Sequence, residues 1–526
     1  MKIPKGDFIM AYRYGNREQI ELFPQAIEDY VSKDDPVRAY DAFVEALDFN
    51  ELGVVIDENQ VGNPEYDPKA MVKLLTFGYS YGTRSSRKLE RATYHNIAFI
   101  WLMGGLKPDH KTIAEFRRKN KPALKNILRQ CARLCIELGL VAGNTLFTDG
   151  TKIRANASIK NTWTKEKCEK YLKHIDAHIE SILSESEALD EQEENQESLI
   201  KMKASLKEKE ILKSEVQKIM KELKQHDKKA INTVDPECAR INSIQGSHAG
   251  YNAQITVDEK HGLIVNTDVV SKNNDAQEFA NQINQANETL GKKCDTACAD
   301  SGYSNTDELE KIDSQDIKVI VPSQRQASKK EPDAFDKEQF QYDSTKDRYI
   351  CPEGHILKYS HVDSDKAKVY VISKSCFCKH CHHFDKCTKS ERGRTIRTLL
   401  NDHVRKKLEA QYEQTESQAI YKLRKQKVEL PFGHIKRNLK VDAFLLRGRD
   451  GAKLEMSLLS SCFNIARMIT ILGVKGLIQE LRALTTGGNS FIFSKTAITA
   501  LKYSFLCQRT IIQAVPSRII GYCDTV

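Results

Sequence analysis

The sequence lacks any uninterrupted apolar run near the ~18 residues that a membrane span needs. Its first residues, MKIPKGDFIMAYRYG, lack the apolar core of a secretory signal. The pattern therefore excludes a membrane class and makes a cytoplasmic protein the expectation. Glycine and proline are both missing from residue 164 to about 229, which excludes a series of turns there. Acids are nearly missing between Lys422 and Lys440, where seven Lys/Arg surround a single carboxylate, Glu429. Cysteine is present fourteen times, but without the spacing of a disulfide framework. Five of these cysteines fall between Cys351 and Cys387, and such a local cluster in a reducing compartment points to metal.

The chain has 526 residues, of which 40% are hydrophobic and 29% charged, enough for a sizeable core under an ionised surface and for two to four domains. A net charge of +9 is compatible with a polyanionic partner. Residues 1–140 carry apolar positions at three- and four-residue spacing and read as a helical N-terminal, DNA-binding domain. Asp109 or Thr112 is expected to cap a helix that carries Arg117, Arg118, Lys119 and Lys121 on a basic face. The β-prone run Thr145–Thr148 is read as a strand ending at Asp149. Residues 164–230 read as an inserted helical hairpin or short coiled coil, with Leu183, Leu189, Leu199, Met202, Leu206, Ile211, Leu212, Val216 and Ile219 at helical spacing. Residues 231–323 alternate strand and helix, which with 141–163 gives an α/β domain on a mixed sheet. Residues 324–400 are polar, Cys/His-rich and poor in core residues; 401–484 are helical; 485–526 form a tail without a clear pattern.

Asp149 and Asp300 each close a predicted strand and are followed by Gly150 and Gly302. A lone Asp in such a place is an ordinary turn residue that binds backbone N–H groups. Strand ends of one sheet converge, however, so these two acids and Glu429 can meet in a cleft lined by cations. Hard carboxylate oxygens suit Mg²⁺ or Mn²⁺, and two such ions can clamp an in-line phosphoryl transfer. The surrounding Lys and Arg would hold DNA phosphates. In the Cys-rich segment Cys378 and Cys381 form a C-x2-C knuckle for tetrahedral Zn²⁺, with Cys351 and Cys387 completing four thiolates and Cys376 and His355 in reserve. Tyr303 and Trp163 are candidate base-stacking rings, although packing is their commoner use. Asp235 and Asp275 lie near the sheet and read first as capping residues.

Three ordered stretches carry a family resemblance: FTDGTKIRANAS around Asp149, ACADSGYSN around Asp300, and YKLRKQKVELPFGHIK around Glu429. They resemble the motifs of DDE transposases of bacterial insertion sequences, in the group marked by Y-x2-R-x3-E-x6-K. The helical stretch before Asp149 and FLLRGRDGAKLEMSLLSSCFNIARM after Glu429 are similar to the domains that flank that catalytic core. The resemblance implies an RNase H-like fold in which Asp149, Asp300 and Glu429 bind two Mg²⁺ ions. It further implies binding to transposon-end and target double-stranded DNA, nicking, attack by the freed 3′-OH, and a homodimer that pairs two ends. Tyr421, Arg424, Lys425 and Lys436 are the expected DNA contacts. One spacing departs from the motif: four residues, not three, separate Arg424 from Glu429. On a straight helix Lys425 and Lys436 lie about 40° and about 20° from Glu429, and Arg424 about 140° away. Lys425 is therefore the expected substitute for the motif arginine, unless Pro431 makes the helix irregular. A DNA-binding protein without catalysis and a Mg²⁺ nuclease without strand transfer remain the alternatives.

Overall fold

The computed structural model describes residues 26–54, 65–190, 196–226, 228–243, 246–328, 334–364 and 366–486. Expectations for residues 17–25, for the tail beyond 486, and for the side chains of Leu183, Leu189, Leu199 and Met202 lie outside the described residues. The first part is all helical: α1 (Pro36–Glu45), α2 (Phe49–Leu52), α3 (Pro68–Ser80), α4 (Ser86–His95), α5 (Ile97–Leu102), α6 (His110–Lys119) and α7 (Lys121–Glu137). Asp side chains start several of them. Asp35, Asp48, Asp67 and Asp109 each accept from backbone N–H groups of the first turn. The expected basic face is only partly there. Arg117 is buried and donates to the Arg84 carbonyl and to Ser86, while Arg118 pairs with Glu115 and Lys119 with Glu65.

The middle of the chain contains β1 (Thr145–Arg154), β2 (Thr162–Trp163), α8 (Lys165–Asp190), α9 (Gln196–Gln225), β3 (Ile231–Asn232), β4 (Ala239–Ser243), β5 (Gly246–Asp258) and β6 (Ile264–Val270). It continues through α10 (Phe279–Leu290), β7 (Thr296–Cys298), α11 (Thr306–Asp313), β8 (Lys318–Ile320) and α12 (Gln324–Ser328). One sheet runs β4-β5-β1-β7-β8, with β6 also on β5. Strand β1 is antiparallel to β5 and parallel to β7, and β7 is parallel to β8. This mixed sheet with flanking helices is compatible with the RNase H-like core that was expected. The long β1 corrects one reading: Asp149 sits in mid-strand, because β5 pairs with β1 as far as Arg154.

Helices α8 and α9 pack on each other above the two-stranded β2–β3 base. Cys168, Ile175, Val216, Leu223 and Ile231 form a small separate core there, whereas Ile211 is exposed. Trp163 packs edge-on against Tyr171 at 5.0 Å, a packing role and not a stacking platform.

The Cys-rich segment has more structure than its composition suggests. Strands β9 (Gln341–Asp343), β10 (Arg348–Ile350), β11 (Ile356–Val362) and β12 (Ala367–Ile372), a short α13 (Ser375–Lys379) and β13 (Thr395–Leu399) form an antiparallel sheet. Phe340, Tyr349, Leu357, Tyr370, Ile372 and Ile396 give it a core, so the expectation of little core is corrected. Period-two alternation in short strands hid that core within a polar composition.

Helices α14 (Asp402–Glu413), α15 (Thr415–Gly433) and α16 (Arg449–Thr486) follow. Helix α16 contains an 18-residue window with a mean hydropathy of 1.5, long and apolar enough by composition for a span. In the fold it is the central core helix, packed on α1, α3, α7 and β6. Several of its buried polar groups tie it to neighbouring elements. Asn464 exchanges two 2.8 Å hydrogen bonds with the Ile264 backbone at the sheet edge, and Ser457 donates to the Lys125 carbonyl of α7. Glu455 is fully buried, pairs with Arg84 at 2.7 Å and accepts from the Leu445 and Leu446 N–H groups. The N-terminal helices are thereby bolted to the C-terminal helix α16.

Candidate active site and metal centre

Parallel pairing of β1 with β7 sets Phe147 beside Cys298, so Asp149 and Asp300 leave the same side of adjacent strands. Each has one oxygen fixed locally: Asp149 Oδ1 accepts from Gly150 N–H and Asp300 Oδ1 from Gly302 N–H, both at 2.8 Å. The other oxygens face one guanidinium. Arg424 of α15 lies 3.3 Å from Asp149 Oδ2 and 4.0 Å from Asp300 Oδ2. Burial pushes the Asp149 carboxyl up to about 6, helped by Asp300 and Asp275, against the pull of Arg424 and the Gly150 N–H.

Helix α15 presents Val428 and Pro431 to the interior, and Ile435 just beyond it is buried too. Arg424, one turn before Val428, shares that inward side. The expectation that Lys425 replaces the motif arginine is therefore wrong. Lys425 is 76% exposed and its nearest acid is Glu429 at 3.8 Å, itself 63% exposed on the outer side. Among the described residues the only group of three His, Cys, Asp or Glu with ligand atoms all within 4.8 Å is Glu353, His382 and His383. Neither Glu429 nor Asp275 forms such a group with Asp149 and Asp300. Tyr421 is half-buried against Tyr412 and supports Arg424, whose guanidinium carbon lies 5.6 Å from the Tyr421 ring. Pro431 is carried within the helix, and the irregularity starts later, as a π-helical turn at His434–Asn438. That turn brings Lys436 Nζ to Thr151 Oγ1, two residues along β1 from Asp149.

The capping reading of Asp275 is also corrected. Its Oδ1 accepts from Asn252 Nδ2 and Gln254 Nε2, both at 2.6 Å, and lies 3.4 Å from Lys152 Nζ. A Cβ on Gly150 would meet Gln254 Nε2 at 2.4 Å and Asp275 Oδ1 at 2.6 Å, so the glycine after Asp149 makes room for this group. Tyr303 is a core ring whose hydroxyl donates to Gln254 Oε1; burial, with Asp275, Asp149 and Asp300 nearby, holds its phenol well above the usual range. Asp235, by contrast, binds the Tyr251 hydroxyl and the Gly448 N–H just before α16, which is a capping role.

The four expected thiolates Cys351, Cys378, Cys381 and Cys387 line one cavity of about 30 Å³ together with His355, Glu353 and His383. Backbone N–H groups of His355, His383 and Arg394 point at Cys351, Cys381 and Cys378 Sγ, at 3.2, 3.4 and 3.4 Å. Burial and the three other cysteines raise the Cys387 thiol. Cys376 is exposed, and His355 stacks on Phe377 at 4.5 Å.

Residues 350–469 match a family model described as a transposase DDE domain. Residues 25–119 match a second, described as a transposase domain (DUF772). No curated protein and no solved structure matches the chain. The first match spans the Cys-rich sheet, α15 with Glu429, and most of α16; the second covers the N-terminal helices as far as α6.

Proposed function

We propose that this chain, an insertion-sequence transposase of the DDE type by its two family matches, cuts and joins DNA at the Asp149–Asp300 centre. The observation that carries the proposal is a pair of carboxylates on adjacent parallel strands, each with a free oxygen turned to one cation, in a basic frame. The donor set fits divalent metal: hard oxygens, a guanidinium already standing between them, and a buried Asp149 carboxyl pushed up by desolvation, with Asp300 and Asp275 adding to the rise. Bound Mg²⁺ or Mn²⁺ would supply activation of the attacking oxygen and stabilisation of the leaving one.

The chain's own residues prepare that step. Gly150 and Gly302 N–H groups fix the two carboxylates. Tyr421 and the inward side of α15 hold Arg424 over them. Lys436 extends the cationic lining along β1, and the exposed Lys422 and Lys425 with the half-buried Lys427 form the surface for backbone phosphates. Glu429 enters the reading through its motif. Lying on the exposed side of α15, it reaches the centre only if the helix shifts when DNA binds. The four cysteines are proposed to hold structural Zn²⁺, on the strength of their shared cavity and the N–H groups aimed at three sulfurs. Pairing of two transposon ends calls for a homodimer on DNA.

Purified protein with Mn²⁺ or Mg²⁺ and duplexes carrying the terminal inverted repeats of its element should yield nicked and joined products, both lost in Asp300→Ala. Unchanged products from Asp300→Ala would refute the assignment. Nicking without joining by the parent protein would favour a nuclease, and binding without either a non-catalytic DNA-binding protein.

A further inference from the structure

We infer that Asp275 supplies a third carboxylate ligand to the cation centre of Asp149 and Asp300 in the DNA-free protein. The inference rests on the metal-centre reading above and adds a residue that the DDE motifs leave out. Its three partners, Asn252, Gln254 and Lys152, all approach Oδ1. Among the described residues Oδ2 has no hydrogen-bond or ion-pair partner. Asp275 Oδ2 and Asp300 Oδ1 lie 3.8 and 2.8 Å from the point where a Cβ on Gly302 would stand, so the free oxygen sits beside Gly302, on the side of the Asp300 oxygen that the glycine N–H holds. Asp149 and Asp300 show the same design, with one oxygen held by an N–H donor and the other turned to the centre.

The support around Asp275 is built by β-sheet register. Gly150 is opposite Gln254 and Lys152 opposite Asn252 across the β1–β5 ladder. Gln254 cannot swing away, because Tyr303, the residue after Gly302, donates to its other amide atom. Asn252 is fully buried, and its Oδ1 has no partner. That oxygen lies 3.1 Å from the position of a Cβ on Gly150, the same gap that Asp275 Oδ1 enters. A buried carboxamide with an idle oxygen beside three carboxylates is an expensive arrangement unless a cation completes it. Two ions of near-octahedral demand also need more oxygens than Asp149 and Asp300 provide.

The test is Mn²⁺ binding to the full-length, DNA-free protein, followed by the electron paramagnetic resonance signal of free Mn²⁺. Asp275→Asn should weaken binding by about tenfold or more, as should Asp300→Asn. Unchanged affinity in Asp275→Asn, with loss in Asp300→Asn, overturns the inference alone. Unchanged affinity in both overturns the metal centre and the inference with it. Asp275→Cys gives a second readout that a packing role would not move. A soft thiolate at a ligand position should shift preference from Mn²⁺ toward Cd²⁺ relative to the parent protein. An unshifted preference in a folded Asp275→Cys protein also counts against the assignment.

Discussion

Replacing Asp149 by Asn should stabilise the metal-free protein at pH 7.5. The Asp149 carboxyl is raised from 3.8 to about 6 by burial and by its acidic neighbours Asp300 and Asp275. An acid held more tightly protonated in the folded state loses stability as pH rises through that window, from about 4 to about 6, and the loss persists above it. A shift of roughly two units corresponds to about 3 kcal/mol at about 1.4 kcal/mol per unit. Asn keeps the shape and carries no charge, so Asp149→Asn should recover up to about 3 kcal/mol at pH 7.5 and little at pH 4. Thermal unfolding in magnesium-free buffer at the two pH values reads the difference directly. Adding Mg²⁺ at pH 7.5 should raise the melting temperature of the parent protein, since a ligand at a hundred times its Kd contributes about 2.7 kcal/mol. The same addition should do little for Asp149→Asn. A variant less stable than the parent at pH 7.5, or a difference equal at both pH values, would refute this electrostatic reasoning.

Arg84→Ala should cost about 3–5 kcal/mol in thermal or urea unfolding, because it leaves fully buried Glu455 without its counter-charge. The double change Arg84→Leu, Glu455→Leu should cost less, and a loss under about 1 kcal/mol for Arg84→Ala would remove the pair from the account. Metal analysis should find about one zinc per chain, lost on the joint change Cys378→Ser and Cys381→Ser; a zinc-free parent protein would end the thiolate proposal. Gly150→Ala should abolish Mn²⁺ binding and strand cleavage while leaving circular dichroism near that of the parent. Its methyl would enter the space of Gln254 Nε2 and Asp275 Oδ1, and retained activity would show that this gap is not needed.

The local elements were legible because they follow from short-range pattern. Asp109 announced the start of α6, and the absence of glycine and proline announced α8 and α9. The Asp-Gly and Asp-Ser-Gly stretches marked the two strand positions that carry the paired acids, and the cysteine spacing marked the four thiols that share a cavity. A helical wheel also set the angle between Arg424 and Glu429, but it fixes only relative directions. Which side of α15 faces the sheet was decided by packing of Val428, Pro431 and Ile435, and that put Arg424 over the acids and left Lys425 outside. Asp275 was read first as a capping residue for a related reason. Nothing near it in sequence explains it, since its partners come from β1 and β5 and meet only through the register that sets Gly150 opposite Gln254. The sequence by itself therefore determined most element types and named the candidate acids, and it carried the resemblance with which the two partial family matches agree. The tertiary structure alone decided which charges share the centre, because charge pairing depends on distances that close only when separate elements pack.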